Sequence, residues 1–197
     1  LLRDSGFEGG IISFEPLSEA RKKLLKTSYK DPLWQIAPQA AIGEKNGEIE
    51  IQIAGNSQSS SVLNMLSTHI KAAPESKYVG KEKVALRQLD SITPQYMNSN
   101  SIIFLKIDTQ GYEENVLKGA KKLIPQVIGL QVEISLVPLY EGQCLFDEML
   151  KKIKKHGFEI WEISTVLSDP ITAQILQVDI TFFRSKNYNT RECIFEN

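Results

Sequence analysis

The segment that decides the fold reads Ile102-Ile103-Phe104-Leu105-Lys106-Ile107-Asp108-Thr109-Gln110-Gly111-Tyr112-Glu113. Its first half is a nearly continuous apolar run, which is typical of a strand in a parallel sheet covered on both faces. The run ends at Asp108, and Gly111 permits a close turn into a helix predicted for residues 113–123. The segment therefore predicts a strand, a tight turn and a helix, which is the repeating unit of α/β proteins.

Strands and helices alternate on both sides of this segment. The hydrophobic spacing predicts strands at residues 11–14, 34–42, 48–54, 83–89 and 127–135, and helices at residues 17–29, 62–72 and 145–156. Residues 157–163 and 175–183 are two further predicted strands with no helix between them, which favours an antiparallel edge pair. We therefore predict an α/β fold with a doubly wound, mostly parallel sheet, helices on both faces and an antiparallel edge strand.

The predicted sheet has three interior strands, at residues 11–14, 102–107 and 130–134. Residues 1–5 and the following Gly6 have the pattern of the last turn of a helix that a glycine closes. Such a helix would begin upstream of Leu1. We therefore interpret residues 1–197 as a single domain that lacks its first strand, with a vacant or otherwise filled slot beside the strand of Phe14.

Composition and charge exclude several classes of protein. Lys plus Arg total 23 and Asp plus Glu total 24, so the formal net charge is -1. This balance argues against nucleic acid or an anionic membrane as the main partner, because both require a basic excess. No apolar run reaches the roughly 18 residues of a membrane-spanning helix, and no secretory leader pattern is visible. Cys144 and Cys193 form neither a disulfide framework nor a zinc site, and we expect a cytosolic protein.

Ligands of open α/β sheets bind outside the carboxyl ends of the strands. Three predicted strands carry acidic residues in that region, namely Glu15, Asp108 and Glu133. A buried carboxylate is costly unless it is paired or hydrogen-bonded, so these residues are candidates for a functional site. No Ser-His-Asp or Cys-His arrangement and no glycine-rich phosphate loop is visible in the sequence. His156 suits the C-terminus of a helix, and His69 is predicted at the surface.

Glu15 has two interpretations. An acidic side chain at this strand end can accept hydrogen bonds from both ribose hydroxyls of a nucleotide. It can equally stabilise the N-terminus of the helix predicted at residues 17–29. The sequence pattern leaves both interpretations open.

Asp108 and Glu133 also have functional and structural interpretations. If their strands are neighbours, the two carboxylates face one cleft, where they can bind a divalent cation, orient a substrate hydroxyl or supply a general base. Alternatively, Asp108 caps the following helix, and Glu133 pairs with a lysine or a backbone amide. Glu113 is either part of the site or a favourable charge in the first helical turn.

Six parts of the sequence, in their order along the chain, resemble FkbM-family methyltransferases. They are Ile12-Ser13-Phe14-Glu15-Pro16, Ala40-Ala41-Ile42-Gly43, Ser59-Ser60-Ser61-Val62-Leu63, residues 105–113 with Val116-Leu117-Lys118-Gly119-Ala120, Gln131-Val132-Glu133-Ile134-Ser135 with Pro138-Leu139-Tyr140, and Leu176-Gln177-Val178-Asp179. The resemblance covers about residues 6–184. Its most specific part is residues 105–120 together with the segment around Glu133.

The resemblance implies a class I methyltransferase fold that binds S-adenosylmethionine. The family typically transfers the methyl group to a hydroxyl of a sugar or natural product, so a small-molecule or saccharide acceptor is implied. In this chain Glu15, with Pro16, would hold the ribose hydroxyls of the cofactor. Ala41 and Ile42 would lie beside the adenine.

The resemblance also implies where the chemistry takes place. Asp108, with Gly111, would lie near the methionine part of the cofactor or near the acceptor, and Glu133 would lie across the cleft. Asp108 and Glu133 are therefore the candidate catalytic residues. No metal ligands are assigned, and whether a divalent cation takes part stays open. Residues 47–79 are the candidate cover on the acceptor side.

Two other functions stay open at this point. A nicotinamide-dependent Rossmann oxidoreductase would also place Glu15 at a ribose, and a G-x-G-x-x-G motif upstream would favour it. A non-catalytic methyltransferase-like binding module is the second alternative. The first strand and glycine-containing loop of the family should precede Leu1, and their absence fits such a module.

Overall fold

The structure, a computed structural model, describes residues 2–98 and 100–185. The helices and strands in these residues are, in chain order, β1 (Ile11–Ser13), α1 (Ser18–Ser28), β2 (Trp34–Ile36), β3 (Ala41–Ile42), β4 (Gly47–Ala54), α2 (Ser67–Ala72), β5 (Tyr78–Arg87), α3 (Leu89–Ile92), β6 (Ile103–Ile107), α4 (Glu113–Lys118), β7 (Val127–Ser135), α5 (Phe146–Lys155), β8 (Phe158–Ser168) and β9 (Ile175–Arg184). The chain is therefore a mixed α/β protein.

The described strands form three sheets. β1 pairs with β2 in parallel, and β5 lies between β3, to which it is parallel, and β4, to which it is antiparallel. The third sheet has the order β6-β7-β9-β8, and only the β6–β7 pair in it is parallel. The predicted antiparallel pair at the end of the chain is confirmed as β8 and β9. The doubly wound, mostly parallel sheet is not what these residues form, because two of the three sheets are mixed.

The differences from the predicted elements have local causes. Residues 34–42 were expected to form one strand, but Pro38, which has no backbone N–H to donate, lies between β2 and β3. The helix predicted at residues 62–72 begins only at Ser67. The residues before it form a loop that bonds to other parts of the chain, for example through Tyr78 Oη, which donates to the Leu63 carbonyl at 2.7 Å.

Only one of the three strands predicted to be interior has a partner on each side. β7 lies between β6 and β9, whereas β6 pairs with β7 alone and β1 pairs with β2 alone within the described residues. Phe104 on β6 is accordingly 49% exposed. In this part of the chain β1 and β6 do not pair with each other. The vacant or otherwise filled slot expected beside the strand of Phe14 stays a prediction.

The main hydrophobic core lies on one face of the four-stranded sheet. Val132, Ile180 and Phe182 point to this face and are fully buried. Helices α4 and α5 pack there through Val116 and Met149. A second, smaller core joins α1 to the β3-β5-β4 sheet. The two cores fix the strand ends that carry the candidate site residues.

Residues 2–7 close a helix-like turn in the way that the sequence predicts. The Phe7 amide donates to the Leu2 carbonyl and the Gly6 amide to the Arg3 carbonyl, both at 3.0 Å. Gly6 has a φ of +85°, and this pair of bonds is the Schellman motif of a helix C-terminus. Leu1 and Cys193 lie outside the described residues. None of the described helices is long and apolar enough to cross a membrane.

The packing predicts that Ile180→Ala destabilises the protein. Ile180 is fully buried at the centre of the main core, so its truncation should lower the free energy of unfolding by about 2–5 kcal/mol. Val79→Ala is the control, because Val79 is 71% exposed and its truncation should change that free energy by no more than about 0.5 kcal/mol. Urea denaturation of the two variants and the wild type measures the difference. Equal losses in both variants would contradict the assigned core.

Candidate active site

A cavity of about 400 Å³ lies at the carboxyl ends of β1, β3 and β6. Six parts of the chain line it: Phe14, Glu15, Pro16 and Leu17 after β1; Ala20 in α1; Ala40, Ala41 and Ile42 at β3; Ile51 in β4; Ser57, Gln58, Ser60, Ser61 and Val62 in the loop after β4; and Asp108, Thr109, Gln110 and Tyr112 after β6. This position is the one at which open α/β sheets bind ligands. The volume lies in the range of small-molecule and cofactor sites.

The wall of the cavity has an apolar part and a polar part. Leu17, Ala41 and Ile51 supply buried apolar surface. Glu15 and Asp108 supply carboxylates, and the loop of residues 57–62 supplies serine hydroxyls and one side-chain amide. A ligand with an aromatic base and several hydroxyl or charged groups would match this division.

Glu15 lies both at the start of α1 and on the cavity wall. Its Oε1 accepts a hydrogen bond from the Leu17 backbone amide at 2.8 Å, immediately before α1, and the side chain also lines the cavity. Partial burial raises the pKa of this carboxyl, against the lowering effect of the Leu17 amide, and the charge of Glu82 adds to the increase. The carboxylate is therefore fixed at the start of the helix while it faces the cavity.

The turn between β6 and α4 is held by a buried carboxylate. Glu113 Oε1 accepts hydrogen bonds from the backbone amides of Thr109 and Gly111, each at 3.0 Å, and from the Thr109 hydroxyl at 3.2 Å. Burial outweighs these bonds and raises the pKa of Glu113 to about 7. Glu113 is thus the residue that organises the turn, and it is not simply a charge at a helix N-terminus.

The backbone of this turn is left-handed at two successive residues. Gln110 has a φ of +53° and Gly111 a φ of +93°. A side chain on residue 111 would also meet Tyr140, because an added Cβ would lie 3.0 Å from the Tyr140 Cβ. Gly111 does not line the cavity, although both of its neighbours do. Its contribution is therefore to shape the turn, as the sequence predicted.

Asp108 lies at the mouth of the cavity and does not cap a helix. No side-chain hydrogen bond caps the N-terminus of α4. Asp108 Oδ1 instead accepts a hydrogen bond from Gln110 Nε2 at 3.1 Å, and Oδ2 lies 3.8 Å from Lys106 Nζ. The capping interpretation of Asp108 is therefore wrong, and its side chain remains partly exposed at the cavity.

Glu133 lies behind Asp108 and not on the cavity wall. Its Oε2 accepts hydrogen bonds from Gln110 Nε2 at 2.5 Å and from Gln177 Nε2 at 2.7 Å. Burial raises the pKa of Glu133 to about 9, and the charges of Asp108, Glu113 and Asp179 add to this increase. A pKa raised in this way favours the protonated form of the Glu133 carboxyl, in which it is poorly suited to act as a base. β6 and β7 are neighbours, and Gln110 joins the two carboxyl groups.

Lys106 lies between the carboxylates of Asp108 and Asp179, on the same face of the sheet. Lys106 Nζ is 3.5 Å from Asp179 Oδ2 and 3.8 Å from Asp108 Oδ2. Across residues 2–98 and 100–185 no group of three or more His, Cys, Asp or Glu side chains is arranged to hold a metal ion. The ammonium group of Lys106 thus places a positive charge beside Asp108.

The histidine prediction needs one correction. His69 was expected at the surface, but it is only 2% exposed and its ring contacts the edge of Tyr140 at a centroid distance of 5.1 Å. Burial lowers the pKa of His69. A histidine is amphipathic, and here the packing of the loop after β4 against Tyr140 places it inside.

The sequence model of the methyltransferase FkbM domain matches residues 2–160 of this chain. The chain belongs to the FkbM methyltransferase family. Neither a curated protein nor a solved structure matches it. Family membership makes the chain a methyltransferase, which decides against the nicotinamide-dependent oxidoreductase that the sequence pattern had left open.

The structure brings most of the predicted site residues of this FkbM methyltransferase together. Glu15, Pro16, Ala41, Ile42 and Asp108 all line the one cavity. Glu133 lies next to it, hydrogen-bonded to the lining residue Gln110, and Gly111 lies between the lining residues Gln110 and Tyr112. Their individual roles stay predictions.

Several polar residues around the site were not identified from the sequence. Gln110 joins the two carboxyl groups, Tyr140 Oη donates to Gln110 Oε1 at 2.7 Å, and Ser61 Oγ donates to the Gln110 carbonyl at 2.6 Å. All three belong to the segments that carry the family resemblance. Their positions within those segments were the available signal, but nothing in the spacing indicated that they contact one another.

The raised pKa of Glu133 predicts a specific pH dependence of stability. A carboxyl whose pKa rises from 4.5 in the unfolded chain to about 9 in the folded protein contributes stability below pH 4.5. That contribution is lost as the pH rises through about 9. Glu133→Gln keeps the shape and removes the ionisation, so its unfolding free energy should fall less between pH 5 and pH 9. Urea denaturation of the wild type and of Glu133→Gln across this pH range measures the two unfolding free energies. An equal dependence on pH in both proteins would contradict the raised pKa of Glu133.

Proposed function

We propose that this FkbM methyltransferase uses S-adenosylmethionine and transfers its methyl group to a hydroxyl of a saccharide or a similar small molecule. The observation that carries the proposal is the single cavity at the carboxyl ends of β1, β3 and β6, lined by Glu15, by Ala41 and Ile42, and by Asp108. These are the residues to which the family resemblance assigns the ribose, the adenine and the reacting end.

The residues present fit this cofactor. A carboxylate that is anchored by a backbone amide, as Glu15 is by Leu17, can accept hydrogen bonds from two adjacent ribose hydroxyls. Ala41 and Ile42 offer buried apolar surface at the cavity, against which an adenine ring can pack. Bound there, S-adenosylmethionine supplies an electrophilic methyl group on a sulfonium. The protein's task is then to align an acceptor oxygen and to receive its proton.

Asp108 is the group that we propose receives that proton. Its carboxylate lies at the cavity and is partly exposed, so an acceptor hydroxyl can reach it directly. In the reaction the acceptor oxygen forms a bond to the methyl carbon, the carbon–sulfur bond breaks with its electron pair left on sulfur, and the hydroxyl proton passes to the carboxylate. Lys106 lies beside Asp108 and supplies a positive charge without a metal ion.

Glu133 has a different role in this proposal from the one first predicted. It is buried and neutral near pH 7, so it does not act as a second base. It serves instead as a fixed partner of Gln110 behind Asp108.

The acceptor would enter beneath the loop of residues 57–62. Ser57, Gln58 and Ser60 present polar groups to the cavity across from Asp108. Hydroxyls and amides of this kind suit an acceptor with many hydroxyl groups, such as a saccharide. We also propose a cytosolic location, with which the buried Cys144, which forms no disulfide, is compatible, and a Rossmann-like fold.

The first test concerns the cofactor. Glu15→Ala should weaken S-adenosylmethionine binding by about 10-fold to 150-fold, because a hydrogen bond to a charged acceptor contributes about 1.5–3 kcal/mol. Titration calorimetry on the folded variant measures the change.

The control for this test is Glu19→Ala. Glu19 lies in the first turn of the same helix, is exposed and pairs only with Lys22 at 2.6 Å. Its truncation should leave the affinity unchanged. Unchanged affinity in Glu15→Ala as well would remove Glu15 from the site.

The second test concerns the chemistry. Asp108→Asn should lower the rate of methyl transfer by about 10²-fold to 10⁴-fold, because the amide cannot accept the proton. The assay follows a labelled methyl group from S-adenosylmethionine to a panel of free monosaccharides. The affinity for the cofactor, measured by calorimetry, should change little.

The role of Lys106 separates the direct mechanism from one that uses a cation. If the positive charge at the site comes from Lys106, a metal chelator should leave the rate unchanged. Loss of turnover on chelation would contradict the direct mechanism. A normal rate in a folded Asp108→Asn variant would exclude Asp108 as the base.

A further inference from the structure

Gln110 uses every polar atom of its buried side chain at the candidate site. Its Nε2 donates to Asp108 Oδ1 at 3.1 Å and to Glu133 Oε2 at 2.5 Å, and its Oε1 accepts from Tyr140 Oη at 2.7 Å. The residue is only 8% exposed. The Gln110 amide thus connects Asp108, at the cavity, with Glu133 behind it. The bond from Tyr140 fixes the orientation of the amide.

The backbone of Gln110 adopts a conformation that a glutamine rarely takes. Its φ of +53° is in the left-handed region, where residues other than glycine, asparagine and aspartate are uncommon. Such conformations persist when the surroundings determine them, and they concentrate at functional sites. Here the consequence is geometric, because the turn directs the Gln110 side chain back toward Asp108, two residues earlier.

The same residue is tied to the loop that covers the cavity. Ser61 Oγ donates to the Gln110 carbonyl at 2.6 Å and accepts the Leu63 amide at 3.0 Å. Ser61 is 2% exposed and belongs to the loop of residues 57–62 that lines the cavity. The position of that loop and the position of the Asp108 carboxylate are therefore both set through Gln110.

We infer that Gln110 is a positioning residue for methyl transfer, which directs the Asp108 carboxylate into the cavity and couples it to the loop of residues 57–62. This inference rests on the proposed function. It assigns to Gln110 the alignment of the base with the acceptor, while Asp108 itself contacts the acceptor. Tyr140 contributes by holding the orientation of the Gln110 amide.

Gln110→Met tests this inference, because methionine keeps the length of the side chain and removes both the donor and the acceptor. The rate constant kcat should fall about 10-fold to 100-fold, as expected for a misplaced catalytic group, while the affinity for S-adenosylmethionine stays within a factor of about three. Tyr140→Phe should lower kcat in the same direction and by less. Gln126→Met is the matched control, because the exposed side chain of Gln126 donates to the Lys122 carbonyl, away from the site. The kcat of this variant should be unchanged.

The rate per binding-competent molecule separates positioning from a merely structural role. Calorimetry gives the fraction of Gln110→Met molecules that bind S-adenosylmethionine. If loss of the Gln110 N–H bond misplaces Asp108, kcat per binding-competent molecule should fall. A purely structural defect would lower the competent fraction and leave kcat per competent molecule unchanged. That result, or a normal kcat, would overturn the inference.

A crystal structure of Gln110→Met with S-adenosylhomocysteine supplies a readout that does not need an acceptor. The inference predicts that the Asp108 carboxylate turns away from its position at the cavity in the variant. An Asp108 in the wild-type orientation would overturn the inference even if the protein methylates its acceptor. A wild-type protein that binds S-adenosylmethionine but transfers no methyl group would contradict the proposed function alone, because the orientation of Asp108 can still be compared.

Discussion

The candidate site depends on the three hydrogen bonds that the buried Glu113 carboxylate accepts from Thr109 and Gly111. These bonds satisfy backbone and hydroxyl donors that the left-handed turn would otherwise leave without a partner inside the protein. They fix the turn after β6, and the conformation of this turn sets the directions of the Asp108 and Gln110 side chains. Because Glu113 is buried, the pKa of its carboxyl rises to about 7. The turn is therefore held by a carboxyl group whose burial disfavours its ionised form. That is an arrangement expected where a local structure serves a function.

Two carboxyl groups on neighbouring strands have different environments. Asp108 is partly exposed at the cavity with Lys106 nearby, whereas Glu133 is buried among the side-chain amides of Gln110 and Gln177. Environments that separate the protonation of two nearby acids assign them different tasks. The exposed one is suited to accept a proton, and the buried one is suited to hold its neighbours in place. The smaller core builds the part of the cavity wall that includes Glu15, whose carboxyl group is held by the Leu17 amide at the start of α1.

The sequence predicts the parts of this structure that depend on local pattern. The apolar run before Asp108, the amphipathic helix α5 and the glycine that shapes the turn at residue 111 are visible without coordinates, and so is the family resemblance. The division of the strands into three sheets is not visible, because it depends on which strand edges meet. The contacts of Gln110 with Ser61 and Tyr140 also escape prediction, since they join residues 49 and 30 positions apart. His69 was wrongly placed at the surface for the same reason: its burial depends on Tyr140, far along the chain.

The proposed function requires that the cavity at the ends of β1, β3 and β6 binds the cofactor with its reacting end at Asp108. A crystal structure of the wild-type protein with S-adenosylhomocysteine decides this. We expect ribose hydroxyls at about 2.6–3.2 Å from the Glu15 carboxylate, the adenine against Ala41 and Ile42, and the sulfur on the Asp108 side of the cavity. S-adenosylhomocysteine bound at another place, or in this cavity with its adenine at Asp108 and no contact with Glu15, would contradict the proposed function.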